Sequence, residues 1–176
     1  KYSRYNSGES FNADSMKFNS NESYQTLLKE RTVYGGGGII PDHFVPLDTT
    51  GTSAYFNKLI RKGIFNQFAL SWVNKNREYL EKKYPNFDKF NSKFDTQNAV
   101  DELIEYAEVE GLEFKKDQYN KAKHVIHTRL KANIAQDLFN YKKFYQIIND
   151  LNNALEKSLE LLKDDKAFSK LAMNNN

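Results

Sequence analysis

The apolar positions of the chain follow two regimes that meet near residue 50. From residue 53 onward they recur three and four apart, the spacing that lines one face of a helix. Tyr55, Phe56, Leu59 and Ile60 predict a first helix over 53–62, and the polar run from Asp48 to Thr52 stocks its start with N-cap side chains. Gly63 stands where a left-handed residue closes a helix. A second helix over 64–84 places Phe65, Phe68, Ala69, Trp72, Asn76, Tyr79 and Leu80 on one face, and Pro85 ends it. Phe87, Phe90 and Phe94 read as a short, turn-rich connection. A third helix over 97–110, capped by Asp95 or Thr96 and closed by Gly111, turns Val100, Leu103, Ile104 and Ala107 inward. A fourth over 116–138 uses Tyr119, Ala122, Val125, Ile126, Leu130, Ile134, Ala135 and Leu138. A fifth over 141–163 uses Tyr141, Phe144, Tyr145, Ile148, Leu151, Leu155, Leu159 and Leu162.

Residues 1–23 show little period and are rich in Ser, Asn and Glu. Two β-type runs, 24–28 and 31–34, flank Lys29-Glu30 and predict a hairpin. Directly after it come Gly35, Gly36, Gly37, Gly38 and Ile39, then Ile40-Pro41-Asp42-His43-Phe44-Val45-Pro46. Consecutive glycines carry a high entropic cost on ordering, so a chain that keeps them needs unusual backbone angles or a very close neighbour. With strand-like flanks on both sides, they read as a tight passage within or beside a sheet. A phosphate-cradling loop would require Lys and then Ser or Thr after the glycines, opening a helix. Ile39-Ile40-Pro41 opens none, because Pro41 disfavours helical backbone in the residue before it. The fold class expected is mainly α: a five-helix domain over 51–176, preceded by a short β segment over 1–50, α+β overall.

The stretch Arg31-Thr32-Val33-Tyr34-Gly35-Gly36-Gly37-Gly38-Ile39, with Pro41-Asp42 and Val45-Pro46, resembles the carboxy-terminal processing peptidases, or tail-specific proteases. Phe11-Asn12-Ala13-Asp14-Ser15 and Tyr24-Gln25-Thr26 match the family's lead-in. Gly63-Ile64-Phe65-Asn66-Gln67-Phe68-Ala69 and Tyr84-Pro85-Asn86-Phe87 match the form with a long C-terminal extension. The likeness is close over 8–95 and looser to about 163. The family has Gly immediately before the Arg of the motif where this chain has Glu30, a departure that touches a turn and not the chemistry. The resemblance implies a serine endopeptidase of the periplasm or cell envelope that cuts proteins near their C-termini. Residues 1–50 would then be the end of the peptidase core and 51–176 an all-α extension. The family's Ser nucleophile and Lys base lie upstream of the motif, so this chain would hold neither.

Composition adds exclusions. The charge of +3 is the small difference between 26 basic and 23 acidic residues, so no anionic partner is demanded. Basic and aromatic residues interleave at Asn74 to Tyr79 and Tyr141 to Tyr145, but Glu78, Glu81, Asp137 and Asp150 interrupt the patches. Nucleic acid is therefore not expected as a partner. The absence of Cys removes disulfides, thiolate metal sites and a Cys nucleophile. No apolar run approaches the roughly 18 residues of a membrane span. Lys1 stands where an initiator Met would be, with no signal-peptide pattern behind it, and reads as a cut end.

His124 and His127 lie three apart on the fourth helix, a spacing that can present two imidazoles to one metal. Lys121, Lys123 and Arg129 surround them and would repel a cation, so they read as ordinary, partly exposed histidines. No metal and no cofactor is expected. No Ser stands in a Gly-Ser-Ala turn with a Lys-bearing glycine segment behind it, and no catalytic dyad is found. Gly35, Gly36, Gly37, Gly38 and Ile39 remain as substrate-cleft candidates: either they let two strands pack closely, or they border a cleft and offer backbone to an extended peptide. The function expected is that of a non-catalytic region that supports the peptidase core or docks a partner, with peptide substrates belonging to the parent enzyme. The alternative is a free-standing helical protein-binding module. Self-association is also expected, with Ile39, Phe87, Phe90 and Phe94 at or near the contact, because truncation would leave them uncovered.

Overall fold

In a computed structural model that describes residues 23–27, 32–35 and 43–164, the chain runs through two short strands and then seven helices. These are β1 (Ser23–Gln25), β2 (Thr32–Tyr34), α1 (Ala54–Arg61), α2 (Ile64–Lys83), α3 (Phe87–Lys93), α4 (Gln97–Val109), α5 (Lys116–Leu138), α6 (Tyr141–Ile148) and α7 (Asn153–Lys163). A 3-10 turn, Asn149–Leu151, lies between the last two. The described fold is mainly α with a small β element. It divides into two compact units, one of Thr49–Asn152 and one of Lys1–Asp48 with Asn153–Asn176.

In the first of these units α5 is the axis. Helices α1, α2, α4 and α6 all pack on it. That is why its second half is covered almost all round: Leu130, Ala132, Asn133, Ile134 and Ala135 are each buried. A helix enclosed on several sides must keep small residues where neighbours come close, and Ala122, Ala132 and Ala135 sit at zero exposure. Around it the core takes Tyr55 and Leu59 from α1, Phe65, Phe68, Ala69, Val73 and Leu80 from α2, and Val100, Leu103 and Ala107 from α4.

The helix ends follow local chemistry. Ser53 caps α1, its hydroxyl accepting from the Phe56 amide at 3.2 Å, while the Tyr55 amide donates to Gln118 Oε1 of α5 at 2.7 Å. Gly63 separates α1 from α2 at φ +69. Gly111, at φ +75, closes α4. The Gly111 amide donates to the Glu108 carbonyl at 2.9 Å and the Leu112 amide to the Ala107 carbonyl at 2.8 Å. This pair of bonds is the Schellman closure, and its usual apolar contact is supplied by buried Ala107 and Leu112.

Two expectations are corrected. There are seven helices among the described residues and not five. The Phe-rich connection is itself helix α3, capped by Asn86, whose Oδ1 accepts from the Lys89 amide at 2.9 Å. It is not left uncovered either. Phe90 has no exposed surface, and it stacks on Phe94 at 4.5 Å between ring centroids, with Tyr84 at 5.6 Å and Phe139 at 5.7 Å edge-on. Phe87 and Phe94 are partly buried against the same core. The second correction is the expected fifth helix, which breaks after Ile148. Asn149–Leu151 tightens into a 3-10 turn and Asn152 leaves helical backbone at φ −107, ψ 86. Asn and Asp side chains favour such local breaks, and the sequence here is Asn149-Asp150-Leu151-Asn152-Asn153.

In the other unit β1 and β2 pair antiparallel as expected, with Tyr24 opposite Val33. Both side chains remain largely exposed. Helix α7 has no buried residue, and Leu159 and Leu162 lie exposed along it.

Candidate functional site

Of the substrate-cleft candidates, Gly35 follows β2 directly and is partly buried. Gly36, Gly37, Gly38 and Ile39 lie outside the described residues. The hairpin that leads into them presents three residues per strand, and no third strand pairs with it among the described residues.

The most developed polar cluster in the helical unit is centred on His127. Thr96 Oγ1 lies 2.7 Å from Nδ1 of its ring, and Tyr119 Oη lies 2.9 Å from Nε2. The backbone explains why Thr96 is available. It occupies the N-cap position of α4 yet makes no cap hydrogen bond, because Asp95 Oδ1 accepts from the Gln97 amide at 2.9 Å instead. The Thr96 hydroxyl is therefore turned to α5. One turn from His127 on α5, His124 is exposed.

Burial holds the His127 imidazole below its ordinary protonation range. Lys123 and His124 act in the same direction, and Asp95 and Asp101 oppose them. A neutral imidazole has one N–H and one lone pair. Each neighbouring hydroxyl can donate or accept, so both ring nitrogens are satisfied in either tautomer. The same hydroxyls can both accept from the cation, so protonation need not break either bond. Burial also raises the Tyr119 hydroxyl, with Asp101 adding to it. Nearby Tyr55, whose hydroxyl is enclosed without a partner, is pushed up to about 12, first by burial and then by Glu108 and Tyr119.

A hydroxyl beside a neutral His has the outline of an activated nucleophile. What is missing is the group that fixes the base. A carboxylate on the far nitrogen would hold one tautomer, whereas the Tyr119 hydroxyl accommodates both. No set of three or more His, Cys, Asp or Glu side chains able to hold a metal occurs among the described residues. His127 has both nitrogens engaged, so the His124–His127 spacing does not make a ligand pair. The arrangement instead ties the start of α4 to the middle of α5. The spacing of eight places Tyr119 and His127 on one face of α5, but nothing in the helical spacing of 97–138 announces Thr96, 31 residues away.

No helix among the described residues is long and apolar enough to cross a membrane. No curated protein and no solved structure matches the chain. A match is found to a family of unknown function (DUF8443), over residues 55–140, which run from α1 to the residue that caps α6.

Proposed function

We propose that this chain is the C-terminal region of a tail-specific serine endopeptidase, and that its helical unit is a non-catalytic module that supports the core or docks a partner. The observation that carries the reading is the run Arg31 to Pro46, whose residues resemble the closing motif of that peptidase family. Thr32, Val33 and Tyr34 of that run form strand β2. Catalysis in the parent enzyme would use a Ser and a Lys on the amino-terminal side of the motif, with peptide substrates lying outside this helical unit. A periplasmic or envelope location belongs to the same proposal, as does assembly into a homo-oligomer.

The coding sequence on the amino-terminal side of Lys1 tests it. A Gly-Ser-Ala turn followed by a Lys between glycines supports the peptidase reading. An upstream frame without them leaves the second reading, a helical protein-binding module. That alternative is favoured by one observation: the family match covers helices α1 to α5 and leaves out the glycine stretch.

A further inference from the structure

Among the described residues, Arg129 of α5 has no counter-ion. Its guanidinium lies over the ring of Phe144 on α6, with Cζ 4.9 Å from the ring centroid. Nε is enclosed and has no hydrogen-bond partner. One turn along α5, the Asn133 amide nitrogen donates to Asn66 of α2, while Asn133 Oδ1 is itself enclosed without a partner and makes no hydrogen bond to Arg129. Burial accordingly lowers the affinity of Arg129 for its proton, and the neighbour that acts against this is Tyr145.

The surroundings are built from α6. Tyr141, Phe144 and Tyr145 form one aromatic group, with Tyr141 parallel to Phe144 and Tyr145 edge-on to both. The hydroxyls of Tyr141 and Tyr145 meet at 2.8 Å. Phe144 is buried, whereas Tyr141 is 61% exposed and Tyr145 46% exposed. A guanidinium over an aromatic face keeps N–H groups in its own plane, the plane that matches a carboxylate or phosphate. A hydroxyl beside it can donate to the same ligand.

We propose that Arg129 and Tyr145, walled by Phe144 and Tyr141, form a recognition site for an oxyanion, the phosphate or carboxylate group of a ligand. The anion accepts from the outer N–H groups of Arg129 and from the Tyr145 hydroxyl, with the exposed Tyr141 ring beside it. The site does not depend on the peptidase reading, since it lies wholly within α5 and α6.

The test is the Arg129 Nε–H resonance, followed while the protein is titrated with sodium phosphate, sodium acetate, or sodium chloride at matched ionic strength. A saturable shift with phosphate or acetate, and none with chloride, supports the site; whichever anion saturates at lower concentration identifies the ligand group. Tyr145→Phe is expected to weaken that saturation about tenfold, the loss of one hydrogen bond to a charged group. The anion that saturates should also raise the melting temperature, and Arg129→Lys, which keeps the charge but not the planar fork, should abolish that rise. No saturable shift in the wild-type protein, or the same shift with chloride, overturns the proposal. An unchanged saturation in Tyr145→Phe removes Tyr145 from it.

Discussion

Thr96 Oγ1 lies 2.7 Å from Nδ1 of His127, so a residue at the start of α4 reaches across 31 positions of sequence to the middle of α5. The bond replaces the helix cap that Thr96 would otherwise make, and Asp95 takes over that cap. The ring it holds is partly buried, which makes His127 sensitive to acid. Burial lowers the folded-state pKa of His127 below its ordinary 6.5. Between those two values the unfolded chain binds more protons than the folded one, so stability drops as the pH is lowered. The His127 contribution is therefore fully present above about 6.5 and is lost as pH drops toward the folded-state value. Melting temperatures measured from pH 8 down to 5 should decline below that point, and His127→Gln should flatten the decline. A wild-type curve that rises on acidification through this window would contradict the assignment.

Gly111 sets the turn between α4 and α5. A Cβ there would meet nothing within 4 Å, yet φ is +75. The cost of Gly111→Ala is then backbone strain alone, about 1–2 kcal/mol. Urea unfolding should show that loss with an unchanged slope. A neutral or stabilising result would mean that the turn relaxes without the left-handed residue.

Phe90→Ala should be far more damaging, about 3–5 kcal/mol. The ring is fully buried and touches Tyr84, Phe94 and Phe139. If Phe90 instead served an intermolecular contact, the substitution would change the sedimentation coefficient and leave the melting temperature of the monomer in place. Thermal melting and sedimentation on the same sample separate the two.

Zinc should leave the melting temperature where it is. Saturation of a real site at about 100 times its Kd would stabilise the fold by about 2.7 kcal/mol. His127 cannot supply a nitrogen without giving up Thr96 or Tyr119. A rise in melting temperature with zinc that disappears in His124→Ala would refute this.

Much of the helical unit was legible because punctuation and period agreed. Gly63, Pro85 and Gly111 marked ends that the structure keeps, and the spacing of Tyr119, Ala122, Ile126 and Leu130 gave α5 its bounds. Where they disagreed, the reading failed. Pro85 ends α2, but the Asn86 after it starts a new helix, and a seven-residue element is too short for periodicity to declare itself. At 149–153 a sustained leucine spacing concealed an Asn-rich break. Val73 was missed because α2 is covered over a wider arc than a single stripe. The Thr96–His127 and Arg129–Phe144 contacts were not legible, since they come from packing between helices, whereas Tyr119 stands two turns from His127 on α5 itself. The glycine candidates rest on resemblance, and of them only Gly35 lies among the described residues.

On the peptidase proposal, the catalytic Ser and Lys lie outside this chain. The direct measurement compares the 176-residue chain with the protein extended through its upstream coding frame, each incubated with a peptide bearing an unstructured C-terminus. On that proposal the extended protein should cleave the peptide, a Ser→Ala change in an upstream Gly-Ser-Ala turn should abolish the cleavage, and the 176-residue chain should leave the peptide intact. Cleavage by that chain alone, blocked by a serine-reactive inhibitor, would contradict it.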